Sequence, residues 1–275
     1  SIDLCIPILA NNPWYTDVEK QIADSQFDFA LALRDLSKHH EMQEMSQKAI
    51  DIYENLLRKH PTNYYYVETL STLHYMLADA YETNGDWDTA ESHYLRSIAI
   101  ESSYVKLSPN NKEAIKVLAN SLDILAGRYN DRLLYREAIK HWLAASSALV
   151  DSILISQGSS ETQMDLAWYY YNLAVAFHET EQFADSILHY EHSITIYERL
   201  RRDGKNTKSL FKFMLMVYSS AGESARERDD PSSLDIHFRK ALTLIKQIEE
   251  LDPSSAYTDG FKTRILYILP DLEDQ

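Results

Sequence analysis

The feature that most constrains the fold is an internal repeat, because residue types recur along this chain at a fixed step of 48 residues. Five small residues share one repeat position: Ala30, Ala78, Ala126, Ala174 and Gly222. A second position, the aromatic slot, is held by Ser46, Tyr94, Trp142, Tyr190 and Phe238. A third is small again, at Ala49, Ser97, Ala145, Ser193 and Ala241. Self-similarity at such a period is typical of repeat architectures, in which each unit packs on its neighbours. The period predicts five units.

The stretch from His74 to Ile98 shows what one unit contains. Its first half places Leu77, Ala78 and Tyr81 on one face of a helix. Asn84-Gly85 breaks that helix, and Asp86 is of the type that caps the next one. The second half carries a buried stripe at helical spacing, formed by Ala90, Tyr94, Ser97 and Ile98. Each unit is therefore predicted to be a helix–turn–helix.

This pattern resembles the tetratricopeptide repeat, which reads aromatic-x2-Leu-Gly-x2-Tyr, then Ala-x3-aromatic, then Pro. Here His74 stands in the first aromatic position and Ala78 in the position of the first glycine. The resemblance implies an all-α, right-handed superhelical solenoid of five helix–turn–helix repeats, closed by a C-terminal capping helix. The family unit has 34 residues, so each unit here has 14 more. Because the additional residues keep a helical pattern, we expect about two more turns on each helix and no longer loops.

The period also places the boundaries of the units and the ends of the chain. The predicted units are 13–60, 61–108, 109–156, 157–204 and 205–252. Residues 253–275 form a capping helix and tail, with the helix over 256–269. Residues 1–12 form the end of a preceding helix or an N-terminal extension, because Ser1–Leu4 is in register with Ala49–Ile52. That register favours a fragment of a longer polypeptide, whereas Pro7 would disturb such a helix.

Short polar segments separate the predicted helices. A residue of a preferred N-cap type recurs where each new unit begins, at Asn63, Asn111, Ser159, Thr207 and Ser255. We also expect a capping box from Ser160 to Gln163. The turns inside the units differ in sequence, with Asn84-Gly85, Asn130-Asp131 and Asp229-Asp230-Pro231 as examples. The last of these predicts an N-cap followed by proline at the first helical position.

Composition narrows the classes of partner and compartment. The formal charge of −15 argues against nucleic acid, because phosphate binding needs clustered cations, and favours basic segments of proteins. Cys5 is the single cysteine, so the chain cannot form an intramolecular disulfide. The sequence contains no apolar run long enough to span a bilayer and no basic signal-peptide region, so we expect a cytoplasmic protein without membrane insertion.

No catalytic or cofactor motif is visible. The sequence lacks GxGxxG, GxxxxGK[ST], HExxH and GxSxG, so we predict no enzyme activity, catalytic residue, cofactor or metal. Four histidines share the repeat position before the aromatic slot: His93, His141, His189 and His237. We interpret this ladder as a helix-packing position, and the alternative is a pH-sensitive stripe. His189 and His192 could in principle share a metal, but no second group of ligands lies near them in sequence.

The remaining candidate is a concave groove. In proteins of the family that this chain resembles, first-helix residues beside the core line such a groove and bind extended or helical peptides. Those positions hold Tyr75, Asp79, Glu82, Asp123, Asn130, Trp168, Tyr171, Asn172, His178, Ser219, Glu223 and Arg226. Aromatic rings beside carboxylates favour a basic, partly apolar segment. Asn172 matches one position of the family's carboxylate clamp, but the clamp lysines are absent.

These observations favour a non-catalytic protein–protein interaction scaffold that binds a peptide or helical segment in this groove. It could belong to a larger regulatory protein. An alternative is a sensor or regulatory module that holds a small ligand between repeats and controls an attached enzyme domain. A third hypothesis is self-association through a flat surface left by Ala221, Gly222 and Ala225 in the last repeat.

Overall fold

The computed structural model describes residues 13–156, 159–205, 207–253 and 256–270. Within these ranges the chain is helical apart from its connecting turns, and no strand occurs there. We number the helices in chain order as α1 Pro13–Asp35, α2 His39–Lys59, α3 Tyr64–Thr83, α4 Trp87–Leu107, α5 Lys112–Asp131, α6 Tyr135–Ser156, α7 Ser160–Glu179, α8 Phe183–Arg202, α9 Lys208–Glu227, α10 Pro231–Leu251 and α11 Asp259–Ile268. The predicted all-α class is confirmed. The predictions for residues 1–12 and for Ser255 fall outside the described residues.

The helix bounds keep the step of the sequence. The first helices of the second to fifth units begin at Tyr64, Lys112, Ser160 and Lys208. The second helices of all five units begin at His39, Trp87, Tyr135, Phe183 and Pro231. Each of these helices has 20 to 22 residues, so the additional residues of the unit lengthen helices. The exact limits of the units remain a prediction, because helix bounds do not fix where one unit ends.

The chain divides into two compact units, residues 1–121 and 122–275, and the division falls inside α5. In the first compact unit α1 packs with α2, α3 packs with α4, and α2 also lies against α3. In the second compact unit α7 packs with α8 and α9 packs with α10, while α6 contacts α7 and α8 contacts α9. The capping helix α11 packs on α10. Within each unit, consecutive helix pairs therefore pack as the sequence predicts.

Polar side chains cap the helices at the positions that the sequence indicates. Backbone N–H groups of the following helix donate to the side-chain oxygens of Asn63, Asp86, Asn111, Ser159, Thr207 and Asp230. Pro231 opens α10, as expected from its missing N–H. The capping box from Ser160 is wrong. Ser159 has the extended backbone that an N-cap needs and accepts from Thr162 N at 3.2 Å, so Ser160 is already the first helical residue.

The turns inside the five units share one geometry despite their different sequences. In each, the second residue after the end of the first helix has a left-handed φ, at Ser37, Gly85, Leu133, Glu181 and Asp229. In the second repeat, Gly85 N donates to Glu82 O and Asp86 N donates to Tyr81 O, at 2.9 Å each. This is a Schellman motif, and the same two bonds recur in the other four turns. This left-handed residue thus ends the first helix and directs the chain into the second helix of the same repeat.

The small and aromatic positions form the core. The small residues of the first helices and the aromatic slots of the second helices are all buried, and in the last unit the ring of Phe238 fills the space above Gly222. Ser97 and Ser193, two repeats apart, donate equivalent hydrogen bonds to the carbonyls of Ser71 and Ala167.

The burial of the last repeat contradicts one hypothesis. Ala221, Gly222 and Ala225 lie in the core beneath Phe238 and do not form an exposed flat surface. The small side chains do not weaken the packing there, because a large ring occupies the space that they leave. Self-association through these residues is therefore excluded.

Candidate functional site

The three candidates of the first compact unit lie on the second half of α3. The hydroxyl of Tyr94 donates to Glu82 at 2.9 Å, and the ring of Tyr75 packs edge-on against the ring of Tyr94 at 5.7 Å. Asp79 is exposed one turn away. The aromatic slot of α4 thus fixes the orientation of two candidates. Their polar atoms lie on the surface of the helix pair formed by α3 and α4, and beneath that surface the two helices pack together.

In the second compact unit, Asp123 of α5 joins three helices. Trp142 Nε1 of α6 donates to its carboxylate at 2.7 Å, and the side chain of Asn172 of α7 also donates to it. Burial raises the pKa of Asp123, and these two hydrogen bonds oppose that rise. Because both hydrogen bonds are internal, Asp123 and Asn172 primarily hold α5, α6 and α7 together.

Aromatic rings form a surface patch on α7 and α9. Trp168 is 36% exposed and stacks on Tyr171 with ring centroids 5.5 Å apart. The ring of Phe213 on α9 meets Trp168 edge-on at 6.1 Å. Tyr171 is half-buried against Tyr190, and burial raises the pKa of its phenol. Trp168 is therefore held by ring contacts on two helices while part of its face is open to solvent.

Two further candidates lie near the ends of their helices. His178 Nδ1 of α7 lies 2.8 Å from the hydroxyl of Ser224 on α9, and its ring meets Phe183 edge-on. Asn130 Oδ1 of α5 is buried, with no hydrogen-bond partner among the described residues. A buried amide oxygen without a partner costs free energy, so this atom is available to a donor that enters the site.

In the last repeat, the carboxylate of Glu223 lies beside a cavity. Glu223 of α9 pairs with Arg264 of α11 at 2.6 Å, and burial raises its pKa while Arg264 opposes the rise. The two helices enclose a cavity of about 240 Å³ whose walls include Tyr257 and Phe261. Ser219 is buried in this wall, and its hydroxyl has no partner among the described residues. Arg226 is exposed and pairs with its neighbour Glu227.

The sequence reasoning missed Arg264 and Phe213, although the period could have found them. Arg264 stands two repeats after Trp168, at the same repeat position. Phe213 stands one repeat after Asp165, so a ring replaces a carboxylate there. The period could not predict that the ion-pair partner of Glu223 comes from the capping helix.

Three of the four ladder histidines occupy packing positions, whereas the fourth, His237, is buried with its Nε2 2.8 Å from a carboxylate oxygen of Glu191. His93, His141 and His189 stack on Tyr81, Tyr129 and Phe177, the large residues of their own first helices, with interplanar angles of 7°, 16° and 2°. Burial lowers the pKa of His93, and burial together with His192 lowers that of His189 to about 4. Burial therefore favours the neutral form of His93 and His189. Among the described residues, no group of three or more ligands could hold a metal ion.

Comparison with known proteins identifies the repeat. Residues 73–103 match the sequence profile of the family described as Tetratricopeptide repeat, which covers the end of α3 and most of α4. Two solved structures of a putative kinesin light chain with nearly identical TPR-like repeats from Podosopora anserina, one of them a point variant, are 16% identical to this chain. Their TM-scores are 0.53 and, for the variant, 0.52, over 84% and 82% of this chain and 97% and 96% of theirs. The chain has a tetratricopeptide-repeat fold.

Other comparisons add little. BtubC (BKLC) from P. vanneervenii is 15% identical, with a TM-score of 0.49 over 85% of this chain and 92% of that one. No curated protein sequence matches this chain. Likeness at this level of identity extends to the fold, which is built from stacked helix pairs. In the part of the chain that the structure describes, no helix is both long and apolar enough to cross a membrane.

Proposed function

We propose that this chain binds a protein partner through the exposed faces of its first helices, and that the partner segment carries apolar and basic side chains. The observation that carries the proposal is the patch of Trp168, Tyr171 and Phe213, which spans α7 and α9. Partly exposed, well-supported aromatic residues are the commonest anchors of protein interfaces. The net charge of −15 favours a basic segment in addition.

The proposal is tested by selecting a displayed library of random peptides against the full chain. We expect the selected peptides to be enriched in Lys or Arg beside aromatic or aliphatic residues. Trp168→Ala should weaken their binding by about tenfold or more, because it removes a ring that anchors the segment. Raising the salt concentration should weaken the binding of the basic peptides in particular, since it screens their attraction to a chain with a net charge of −15.

Leu188→Ala is the matched control, because Leu188 is an exposed apolar residue on a second helix of the same compact unit. The affinity of this variant for the selected peptides should equal that of the parent chain. Circular dichroism of each variant verifies the helix content. Selection of peptides without basic residues, or equal binding to the Trp168→Ala variant and the parent chain, would contradict the proposal.

A second candidate function is a regulatory module with a small ligand in the cavity between α9 and α11. The specific observation is the buried Ser219 hydroxyl without a partner in the cavity wall, among the residues that the structure describes. A ligand that stabilises the chain against heat, and that fails to stabilise a Ser219→Val variant, would support this function. A collection of small amines and carboxylic acids is the appropriate probe, because Glu223 and Arg264 both face the cavity.

A further inference from the structure

An exposed apolar seam runs along α1 in the first compact unit. It consists of Val18, Ile22, Ser25, Phe29 and Ala32, followed by Leu36 just after the helix end, and all six residues are exposed. The successive spacings are four, three, four, three and four residues, the pattern by which one helix packs along another. Single exposed apolar residues are ordinary, but a continuous seam on one helix indicates an interaction surface.

The repeat itself shows what covers such a seam elsewhere in this chain. Ile22 and Phe29 are 48% and 54% exposed, whereas Leu70 and Leu77 at the same positions of α3 are 1% and 2% exposed. The difference arises because α2 lies against α3. The equivalent residues of α7 and α9 are also buried, at Leu166, Leu173, Met214 and Ala221. In the second compact unit, α6 and α8 contact these two first helices. This position on a first helix therefore accepts an α-helix.

The charges beside the seam select among possible helices. Asp17, Asp28 and Asp35 are exposed and, by their spacings of eleven and seven residues, share one side of α1 beside the seam, where Asp35 is paired with its neighbour Arg34 at 3.1 Å. On the other side, Met45 of α2 helps to form an open cavity of about 510 Å³ over Ile22 and Phe29. A helix laid on the seam would thus have one edge against this acidic side. Flanking charges of this kind determine which partner a helix accepts.

We propose that the α1 seam binds an amphipathic helix of another protein, with Lys or Arg along the edge that faces the three aspartates. A second copy of this chain fits less well. In an antiparallel pair of α1 helices, each acidic flank would face its own copy, and two chains of charge −15 repel each other. The surface is separate from the aromatic patch of the proposed function, because α1 and α7 belong to different compact units.

The test uses a fluorescent helical peptide that copies α2, the helix that covers the equivalent seam of α3. In the basic peptide Glu41→Lys, Glu44→Lys, Asp51→Lys and Glu54→Lys replace its acidic residues, while the acidic peptide keeps them and replaces its lysines and arginine with glutamate. Binding to the full chain is measured by fluorescence anisotropy. We expect the basic peptide to bind at least about tenfold more tightly than the acidic one.

Variants locate the binding. Ile22→Gln with Phe29→Gln should abolish binding of the basic peptide without loss of helix content, because both side chains are exposed. Trp168→Ala should leave it unchanged. No binding of the basic peptide, equal binding of both peptides, or equal binding to the Ile22→Gln/Phe29→Gln variant would overturn the proposal. So would sedimentation showing that the chain forms a dimer which these two substitutions dissociate, since the occupant would then be a second copy.

Discussion

At the scale of single residues, the repeat makes exceptions visible. Glu101 is the clearest case, because its repeat position is otherwise apolar or aromatic, with Tyr53, Leu149, Tyr197 and Ile245. All five residues are buried. Hydroxyl groups from three helices surround the carboxylate, and the nearest is that of Ser121 at 3.0 Å. These contacts only partly replace water, and burial raises the pKa of Glu101 to about 7.

Replacing this carboxylate should stabilise the protein at neutral pH. The pKa of Glu101 is higher in the folded chain than in the unfolded chain. Its contribution to stability is therefore full below about pH 4.5 and is lost as the pH rises towards 7. Glu101→Gln should raise the free energy of unfolding by roughly 1–3 kcal/mol at pH 8 and change it little at pH 4. Urea denaturation across this pH range measures the difference, and equal gains at both ends would show that ionisation is not the cause.

Gly222 is a second exception, because the other four units have alanine at its position. A Cβ atom there would overlap the ring of Phe238, whereas a Cβ atom on Gly127 meets nothing within 4 Å. Gly222→Ala should therefore destabilise the fold by about 1–3 kcal/mol through overpacking. Gly127→Ala, also inside a helix, should stabilise it by up to about 1 kcal/mol. Thermal unfolding of both variants provides the comparison, and a stabilised Gly222→Ala variant would contradict the packing described for the last repeat.

At the scale of elements, the turns inside the units impose one backbone conformation on five different residues. Only Gly85 adopts the left-handed φ without steric cost, while Ser37, Leu133, Glu181 and Asp229 are L-residues with φ of 57° to 60°. The Schellman bonds hold them there. The turns thus contain local strain that the packing of the two helices offsets.

Glycine should relieve that strain where no packing is lost. Leu133 is 69% exposed, so Leu133→Gly should stabilise the fold by about 1 kcal/mol. The reverse change, Gly85→Ala, should cost a similar amount, since alanine would have to adopt φ of about 81°. Leu143→Gly, at an exposed position inside α6, is the control and should be destabilising. Free energies of unfolding measured by urea denaturation test this prediction, and a destabilised Leu133→Gly variant would show that the left-handed turn residue is not strained.

At the scale of the whole molecule, repetition gives each compact unit a core that continues from one helix pair to the next. In the first unit the core runs from Ala23 to Ala114, and in the second from Ala167 to Ile265. The long helices supply this core without long loops. The same repetition exposes the places that break it: the seam of α1, the aromatic patch at Trp168 and the cavity beside α11. For the seam, the cause is a different neighbour at the same repeat position, as Phe29 and Leu77 show.

The sequence by itself determined the helical class, the 48-residue step, the caps and the identity of the core positions. These follow from local rules, because periodic apolar residues, cap types and small–aromatic pairs act over a few turns of helix. It also predicted packing positions for three of the four ladder histidines, His93, His141 and His189. The uniform turns were not predictable from Asn130-Asp131 or Asp229-Asp230, because backbone hydrogen bonds, and not residue type, impose the left-handed residue.

Only the tertiary structure decided which candidate side chains are committed to internal contacts. Asp123 and Glu82 have the residue type and position of groove residues, yet they accept hydrogen bonds from Trp142 and Tyr94. Trp168 remains partly exposed because neighbouring rings support it from one side. Burial depends on which helix covers a position, so Phe29 is exposed while Leu77 at the same repeat position is buried. Local sequence cannot encode that difference, since it is a property of the neighbour.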